Sequence, residues 1–364
     1  MKRIGIDFLP VESSPAGIGQ YTIGLLKALW DIDSENQYIV YSTKPIETKY
    51  LKYPNVKNTV LKWPTRFPFK GIRWMNSVIR KLMWEKTDIF LSTSNNYFAL
   101  NFPHTIQFVH DLAPMHFPKS YKLNARILYL ATTRLALKKA LHVVTVSETI
   151  KKELIGLDKK AANKISVVYA FLNEKILENS EVFKTIKPET KYILTLSTLE
   201  PKKNMALSIE VFNELIKLPD FKDFKYYIIG KMGWHFQEIL DTVERLGLRE
   251  KVIFLGYGED RYVADVMSRS KCMIALSKYE GFGITPLESL YFNVPVVVSD
   301  IPVFREVLSD LATYVDIKDI DLPEMAGVLA EAIRAGKVDT KDKVFKMYNA
   351  NKSAKKLLEI INLY

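Results

Sequence analysis

Met273-Ile274-Ala275-Leu276, followed by Glu280-Gly281-Phe282-Gly283-Ile284-Thr285-Pro286-Leu287-Glu288, is the stretch whose reading decides the fold. Its first part is a short apolar run that reads as a buried strand. Two glycines then flank Phe282. Beyond them Thr285 is placed as an N-cap, Pro286 as the first helical residue and Glu288 as the third. A strand, a glycine loop and a helix N-terminus therefore follow one another. Such a loop lets backbone N–H groups approach an anion, and the helix dipole favours negative charge there. Glu280 and Glu288 stand at the same mouth. Carboxylates repel phosphate but accept hydrogen bonds from hydroxyls. The pattern suits a ligand with phosphate at one end and hydroxyls at the other. Thr285 and Glu288 also fit a capping box, which needs no ligand. Glu280 lies outside that box and is not explained by it.

The same alternation runs the length of the chain. Strand-like runs fall near Arg3–Phe8, Gln37–Ser42, Thr59–Leu61, Ile89–Leu91, Thr105–Val109, His142–Val146 and Ile165–Val168. They resume near Tyr192–Leu196, Tyr226–Ile229, Val252–Leu255, Met273–Leu276 and Val294–Val298. Helix-length segments lie between most of them. Short apolar strands alternating with helices predict the α/β class, with parallel sheets covered by helices on both faces. Residues 170–190 are charged and strand-poor, contain Pro188, and read as a linker. At 364 residues two domains is the natural expectation. The first spans 1–180 and the second 181–342. A segment 343–364 has helical spacing at Val344, Met347, Ala354, Leu357, Leu358 and Ile361. Open parallel sheets bind ligands beyond the carboxyl ends of their strands, so two such domains would form a cleft.

Composition narrows the classes. A chain 48% hydrophobic and 26% charged is ordinary for a soluble globular protein. No run approaches the about 18–20 apolar residues of a membrane span. Met1-Lys2-Arg3-Ile4-Gly5-Ile6-Asp7 reads as a first strand, because Asp7 interrupts what would be a signal peptide's apolar stretch. The single Cys272 excludes an intrachain disulfide and a thiolate-rich metal site, and points to a reducing cytoplasm. A net charge of +11 implies an anionic partner: nucleotide, nucleic acid or anionic lipid.

Further motifs fall at predicted strand ends. After the first strand, Gly17-Ile18-Gly19 opens a helix through Leu25, Leu26 and Leu29 and could hold phosphate or sugar. It is not a dinucleotide fingerprint, since Thr22 stands where a third glycine belongs. Phe108-Val109-His110-Asp111 ends a strand in a histidine, the usual acid/base near neutral pH. The plainer role for His110 is a ring satisfied by backbone. Ser197-Thr198-Leu199-Glu200-Pro201-Lys202-Lys203-Asn204 follows the strand at 192–196. Asn204 reads as an N-cap, which sets Lys203 beside a helix N-terminus. A cation there is unfavourable unless an anion lies between, which argues for phosphate. Gly230-Lys231 and Gly256-Tyr257-Gly258 each end a strand with glycine, and the latter would let backbone amides read a planar base. The metal-binding letters D-x-D occur at Asp31-Ile32-Asp33 and Asp319-Ile320-Asp321; neither ends a strand, and both read as turn and capping residues.

Taken in this order and spacing, the segments resemble the family 4 retaining glycosyltransferases of GT-B fold, similar to bacterial mannosyltransferases of polysaccharide and O-antigen assembly. The likeness spans nearly the whole chain. It is carried by Gly17-Ile18-Gly19, Val109-His110-Asp111-Leu112, Val146-Ser147-Glu148, Leu199 to Asn204, Phe254-Leu255-Gly256-Tyr257, and most specifically the E-x7-E from Glu280 to Glu288. The resemblance implies two Rossmann-like doubly wound domains facing across a cleft, with a C-terminal helix crossing back to the first. It implies a nucleoside diphosphate sugar bound by the second domain, GDP-mannose or a UDP-sugar, with no cofactor and no metal. Glu288 would hold ribose hydroxyls and Glu280 those of the sugar. Lys203, with Lys202, would neutralise the diphosphate. Gly230, Gly256, Tyr257 and the amides of Phe282, Gly283 and Ile284 would line the donor site. Gly17 and Gly19 would leave room for the diphosphate, and His110 would contact the sugar. His110, Lys203 and Glu280 are thus the candidate catalytic residues. Three positions depart from the family pattern: Thr198 where arginine is frequent, Asn293 where glycine is, and Tyr169-Ala170-Phe171 in place of Asn-Gly.

The acceptor is expected to be a glycan or a lipid-linked glycan, and nucleic acid is not expected. Residues 61–84 place Lys62, Arg66, Lys70, Arg73, Arg80 and Lys81 among Trp63, Phe67, Phe69, Trp74 and Trp84, without an acid. Ile72, Met75, Val78, Ile79, Leu82 and Met83 make a helical stripe. Cations with aromatics beside an apolar stripe suit an anionic bilayer surface, which predicts a cytoplasmic protein peripheral at the inner face of the membrane. A helix packing that stripe on the first sheet explains the same residues. The competing class is a noncatalytic basic protein that binds anionic membrane or nucleic acid, for which Glu280 and Lys203 would be dispensable.

Overall fold

The computed structural model describes residues 1–13, 17–64, 70–95, 99, 102–173, 190–233 and 236–364. The chain divides into two compact units, one of residues 1–171 with 349–364 and one of residues 172–348. The linker expected at 170–190 falls mostly on residues outside those described, as do Arg66, Phe67, Phe69 and His235.

The first unit is built on seven parallel strands: β1 (Arg3–Asp7), β2 (Gln37–Ser42), β3 (Val56–Val60), β4 (Ile89–Ser92), β5 (Thr105–Phe108), β6 (His142–Thr145) and β7 (Ile165–Val167). Their order is β3-β2-β1-β4-β5-β6-β7. Every residue of β4, β5 and β6 is buried, and their apolar residues, Ile89 to Leu91, Ile106, Phe108, Val143 and Val144, carry the strand signal beside buried Ser92, Thr105, Gln107, His142 and Thr145. β3 begins at Val56, earlier than expected. The half-exposed edge strand carries Lys57, Asn58 and Thr59, so it lacks an apolar signal. Helix Lys70–Trp84 buries Trp74, Met75, Val78, Ile79 and Leu82 in a cluster with Tyr41 and Phe90. Met75, Val78, Ile79 and Leu82 of the apolar stripe are therefore spent on the core, while Ile72 and Met83 stay exposed.

The second unit has six parallel strands: β8 (Tyr192–Leu196), β9 (Lys225–Ile229), β10 (Val252–Gly256), β11 (Cys272–Ala275), β12 (Val296–Ser299) and β13 (Thr313–Val315). Their order, β10-β9-β8-β11-β12-β13, repeats that of the first sheet from β3 to β6. In each sheet the order reverses beside the unit's first strand, between β1 and β4 and between β8 and β11. That switch point is where doubly wound sheets hold ligands. β13 is absent from the sequence reading, because three residues on a partly exposed edge leave no periodicity to read.

The tail splits between the units. Helix Lys341–Met347 packs on helix Ile284–Tyr291, and Thr340 Oγ1 donates to the Leu290 carbonyl at 2.6 Å, so residues 341–348 stay with the second unit rather than forming part of a segment from 343. Helix Ala350–Asn362, N-capped by Asn349, packs on helix Ile18–Ile32 in the first unit and buries Leu357, Ile360 and Ile361. Lys2 Nζ holds the Ile361 carbonyl at 2.7 Å.

Candidate active site

In the second unit the register of β8 against β11, Ile193 beside Cys272 and Leu194 beside Met273, sets the loops after these strands side by side. The Lys278 amide donates to the Lys202 carbonyl at 2.8 Å. Pro201–Lys203 forms a single 3₁₀ turn, and Asn204 is left-handed (φ 54°) before helix Met205–Leu215. Asn204 stands at the expected cap position, but its side chain makes no cap hydrogen bond. Lys203 Nζ instead reaches across to Glu280 Oε1 at 2.6 Å, and Ser277 Oγ donates to the same oxygen at 2.7 Å. Lys202 lies 3.5 Å from Glu200. The anion beside Lys203 is thus the protein's own carboxylate. Burial pushes the Glu280 carboxyl up, but the Lys203 and Lys202 charges and its two hydrogen bonds outweigh that and hold it below the ordinary range. Glu280 is a fixed anion with one oxygen committed to a cation and a hydroxyl.

The following loop carries the E-x7-E. Gly283, not Thr285, precedes helix Ile284–Tyr291, and the Thr285–Glu288 capping box is not formed. Gly283 sits at φ 96°, and a Cβ there would come within 2.5 Å of the Phe304 ring, so both conformation and space demand glycine. The expectation failed because a glycine in the left-handed region starts the helix two residues early, which places Glu288 in its interior. Glu288 is buried. Burial lifts its carboxyl to about 8, against a lowering hydrogen bond from the Asn173 amide. Phe282 is buried with its ring edge-on to Tyr348 (5.4 Å, 83°).

At the ends of β9 and β10 the two glycines meet, the Gly230 amide donating to the Gly256 carbonyl at 2.8 Å. A Cβ on Gly230 (φ 155°) would lie 1.8 Å from the Ser197 carbonyl oxygen, so this glycine permits the loops after β8 and β9 to touch. Leu199 and Met232 form a parallel bridge there. Tyr257 is 55% exposed, with Lys231 Nζ 4.6 Å from its ring centre. The ring offers a face for stacking.

Gly17, Gly19 and His110 belong to the first unit. Gly17 (φ 54°) precedes helix Ile18–Ile32 and Gly19 is buried within it. His110 follows β5. Its Nε2–H donates to the Thr93 carbonyl at 2.9 Å, and Tyr21 packs edge-on against its ring at 5.5 Å. Burial lowers the His110 pKa. With the proton on Nε2, Nδ1 can only accept. Thr93 Oγ1 in turn donates to the Asp7 carbonyl at 2.7 Å, tying the carboxyl ends of β1, β4 and β5 together. Ser277, Lys231 and Thr93 join the site residues without having been foreseen. The signal for Ser277 was a hydroxyl three residues before Glu280 in the same loop. D-x-D aspartates have structural partners: Asp31 Oδ1 accepts from the Tyr53 hydroxyl, Asp33 Oδ1 accepts from Glu35 and Asn36 amides, and Asp321 caps helix Leu322–Ala335 through the Glu324 amide at 2.9 Å.

Two doubly wound parallel sheets of one strand order, each with glycine loops at its strand ends, define the fold class as GT-B. Solved structures that align along the whole chain agree on the fold. Sucrose-phosphate synthase from Thermosynechococcus elongatus aligns with a TM-score of 0.74 over 100% of this chain and 99% of that one, at 14% identity. Anabaena HepE in complex with UDP and glucose aligns at 0.73 over 100% of both chains, at 16% identity. Residues 178–341 match the family model described as Glycosyl transferases group 1, and this part of the chain is a domain of that group. O-antigen chain mannosyltransferase RfbU of Salmonella typhimurium is 28% identical over 86% of this chain and 87% of its own. O-antigen chain mannosyltransferase B of Escherichia coli is 24% identical over 86% of each. The protein is a glycosyltransferase.

Proposed function

We propose that the chain moves a hexose from a nucleoside diphosphate sugar to a glycan or lipid-linked acceptor, with retention of configuration and without a metal. The mannosyltransferase names of its relatives favour mannose and GDP-mannose; a UDP-sugar is the other donor. The observation that carries the reading is the Lys203–Glu280 pair, 2.6 Å apart in the loops at the switch point of the second sheet. As the bond from sugar to phosphate breaks, negative charge grows on the diphosphate and positive charge on the ring. Lys203, seconded by Lys202, stabilises the first charge from a position it already holds. Fixed as an anion, Glu280 accepts hydroxyl hydrogen bonds from the sugar and favours the cationic ring. Glu288 serves the ribose hydroxyls, the amides at 282–284 the donor phosphates, and the exposed Tyr257 ring the base. His110, neutral, accepts from a sugar hydroxyl through Nδ1.

No described helix is long and apolar enough to cross a membrane. We take the enzyme to be cytoplasmic and peripheral at the inner face. Thermal unfolding with GDP, UDP and ADP tests the reading, because a ligand that binds only the folded state raises the midpoint. One nucleotide raising it identifies the donor base; no rise with any of the three contradicts the donor assignment.

A further inference from the structure

Helix Leu123–Lys139 leaves its first half largely uncovered. Its inner side is anchored: Thr132 Oγ1 donates to the Asn95 carbonyl at 2.9 Å, Asn95 Nδ2 to Thr133 Oγ1 at 2.6 Å, and the Tyr129 hydroxyl to the Asp111 carbonyl at 2.9 Å. The outer side begins apolar. Leu123 is 68% and Ile127 58% exposed, one turn apart on one stripe. Arg134 and Lys138 continue that stripe, also exposed. Met115, on the short helix Ala113–His116 packed beside it, is 38% exposed. The sequence from Leu112 through Ser147 holds no Asp or Glu, but six cations at Lys119, Lys122, Arg126, Arg134, Lys138 and Lys139. Among the described residues none of the six enters an ion pair; the ion pair of this region is His116 with Glu153.

We propose that this face docks on an anionic lipid bilayer. The proposal rests on the reading of a membrane-borne acceptor, since Tyr129 ties the same helix to Asp111, next to His110. Charge and apolar exposure decide the occupant together. A soluble polyanion would neutralise the cations and leave Leu123 and Ile127 in water, whereas a bilayer surface takes both. Helix Lys70–Trp84 spends most of its stripe on the core and leaves Ile72, Met83 and Trp84 exposed.

The test is co-sedimentation of the full chain with vesicles of phosphatidylglycerol and phosphatidylcholine, against phosphatidylcholine alone. Wild type is expected to pellet with the anionic vesicles only. Each cation near an anionic surface is worth about fivefold in partitioning. Arg134→Glu with Lys138→Glu should therefore weaken pelleting at least tenfold, and Leu123→Glu with Ile127→Glu by a similar factor. Met83→Glu with Trp84→Glu, on the exposed end of the other helix, should change it less than threefold. Ile127→Gln provides a milder variant, and the thermal midpoint of each protein reports its folding. Unchanged pelleting of the Leu123/Ile127 variants, or loss only in the Met83/Trp84 variant, overturns the proposal. So does wild type that ignores anionic vesicles. The nucleotide-induced rise in midpoint is read on the same samples. Its persistence without vesicle binding rejects the docking and leaves the transferase reading standing.

Discussion

Glu288→Gln isolates the electrostatic cost built into helix Ile284–Tyr291. Glu288 binds its proton more tightly folded than unfolded, because burial lifts it from an ordinary 4.5 to about 8. Its contribution to stability is therefore greatest below pH 4.5. It declines as pH rises toward about 8 and levels off above. The gap between the two values corresponds to about 5 kcal/mol. Glutamine keeps the shape and an oxygen for the Asn173 amide, but has no proton to lose. Relative to wild type, the variant should gain stability between pH 5 and pH 9, at up to about 1.4 kcal/mol per pH unit. Asp7, buried in the first unit and lifted to about 7, gives a slope of the same sign in both proteins and cancels in the comparison. Urea unfolding at pH 5, 7 and 9, followed by circular dichroism, measures the difference. A gap between the two proteins that stays constant with pH would refute the reasoning, since it would mean Glu288 titrates alike folded and unfolded.

Other outcomes follow from the same geometry. Lys203→Ala should cut kcat by about 10²–10³, the loss seen when one preorganised charge-stabilising donor is removed. Lys203→Ala with Glu280→Ala should cost little more than either alone, because the pair acts as a unit; steady-state kinetics of the three variants would expose independent effects as a product of losses. Gly283→Ala forces alanine to φ 96° and sets its Cβ 2.5 Å from the Phe304 ring, so it should cost about 2–4 kcal/mol and lower the thermal midpoint by several degrees. His110 should gain its charge only at a lower pH than an ordinary imidazole, because burial disfavours the cation, with its Nε2 proton held by the Thr93 carbonyl; nitrogen-15 chemical shifts of the imidazole followed against pH would reveal both.

Much of this was legible because parallel strands buried on both faces must be apolar. Of the thirteen described strands β13 alone stayed hidden, and β3 showed only its last residues, both at half-exposed sheet edges. Glycines at strand ends were equally readable, since Gly230 and Gly283 stand where a side chain would collide with a neighbouring loop or ring. Pairing across the sheet was not readable. Lys203 and Glu280 lie 77 residues apart, and only the register of β8 on β11 brings them together. Local rules misled at Thr285, where a capping-box pattern yielded to a left-handed glycine. They were ambiguous at Lys70–Trp84, where one amphipathic pattern describes a core helix and a membrane helix equally well. The exposed start of Leu123–Lys139 carried no clear periodic signal, because its own half-buried Leu128, Leu130 and Leu135 are spread over more than one side of the helix.

Titration calorimetry of wild type and Lys203→Ala with GDP and UDP, and with guanosine and uridine as phosphate-free controls, probes the central claim at its source. Wild type should bind one diphosphate, the variant should bind it at least tenfold more weakly, and the matching nucleoside should not distinguish the two proteins. Equal affinity of both proteins for the diphosphate, or no binding of either diphosphate by wild type, would contradict a donor site organised around Lys203.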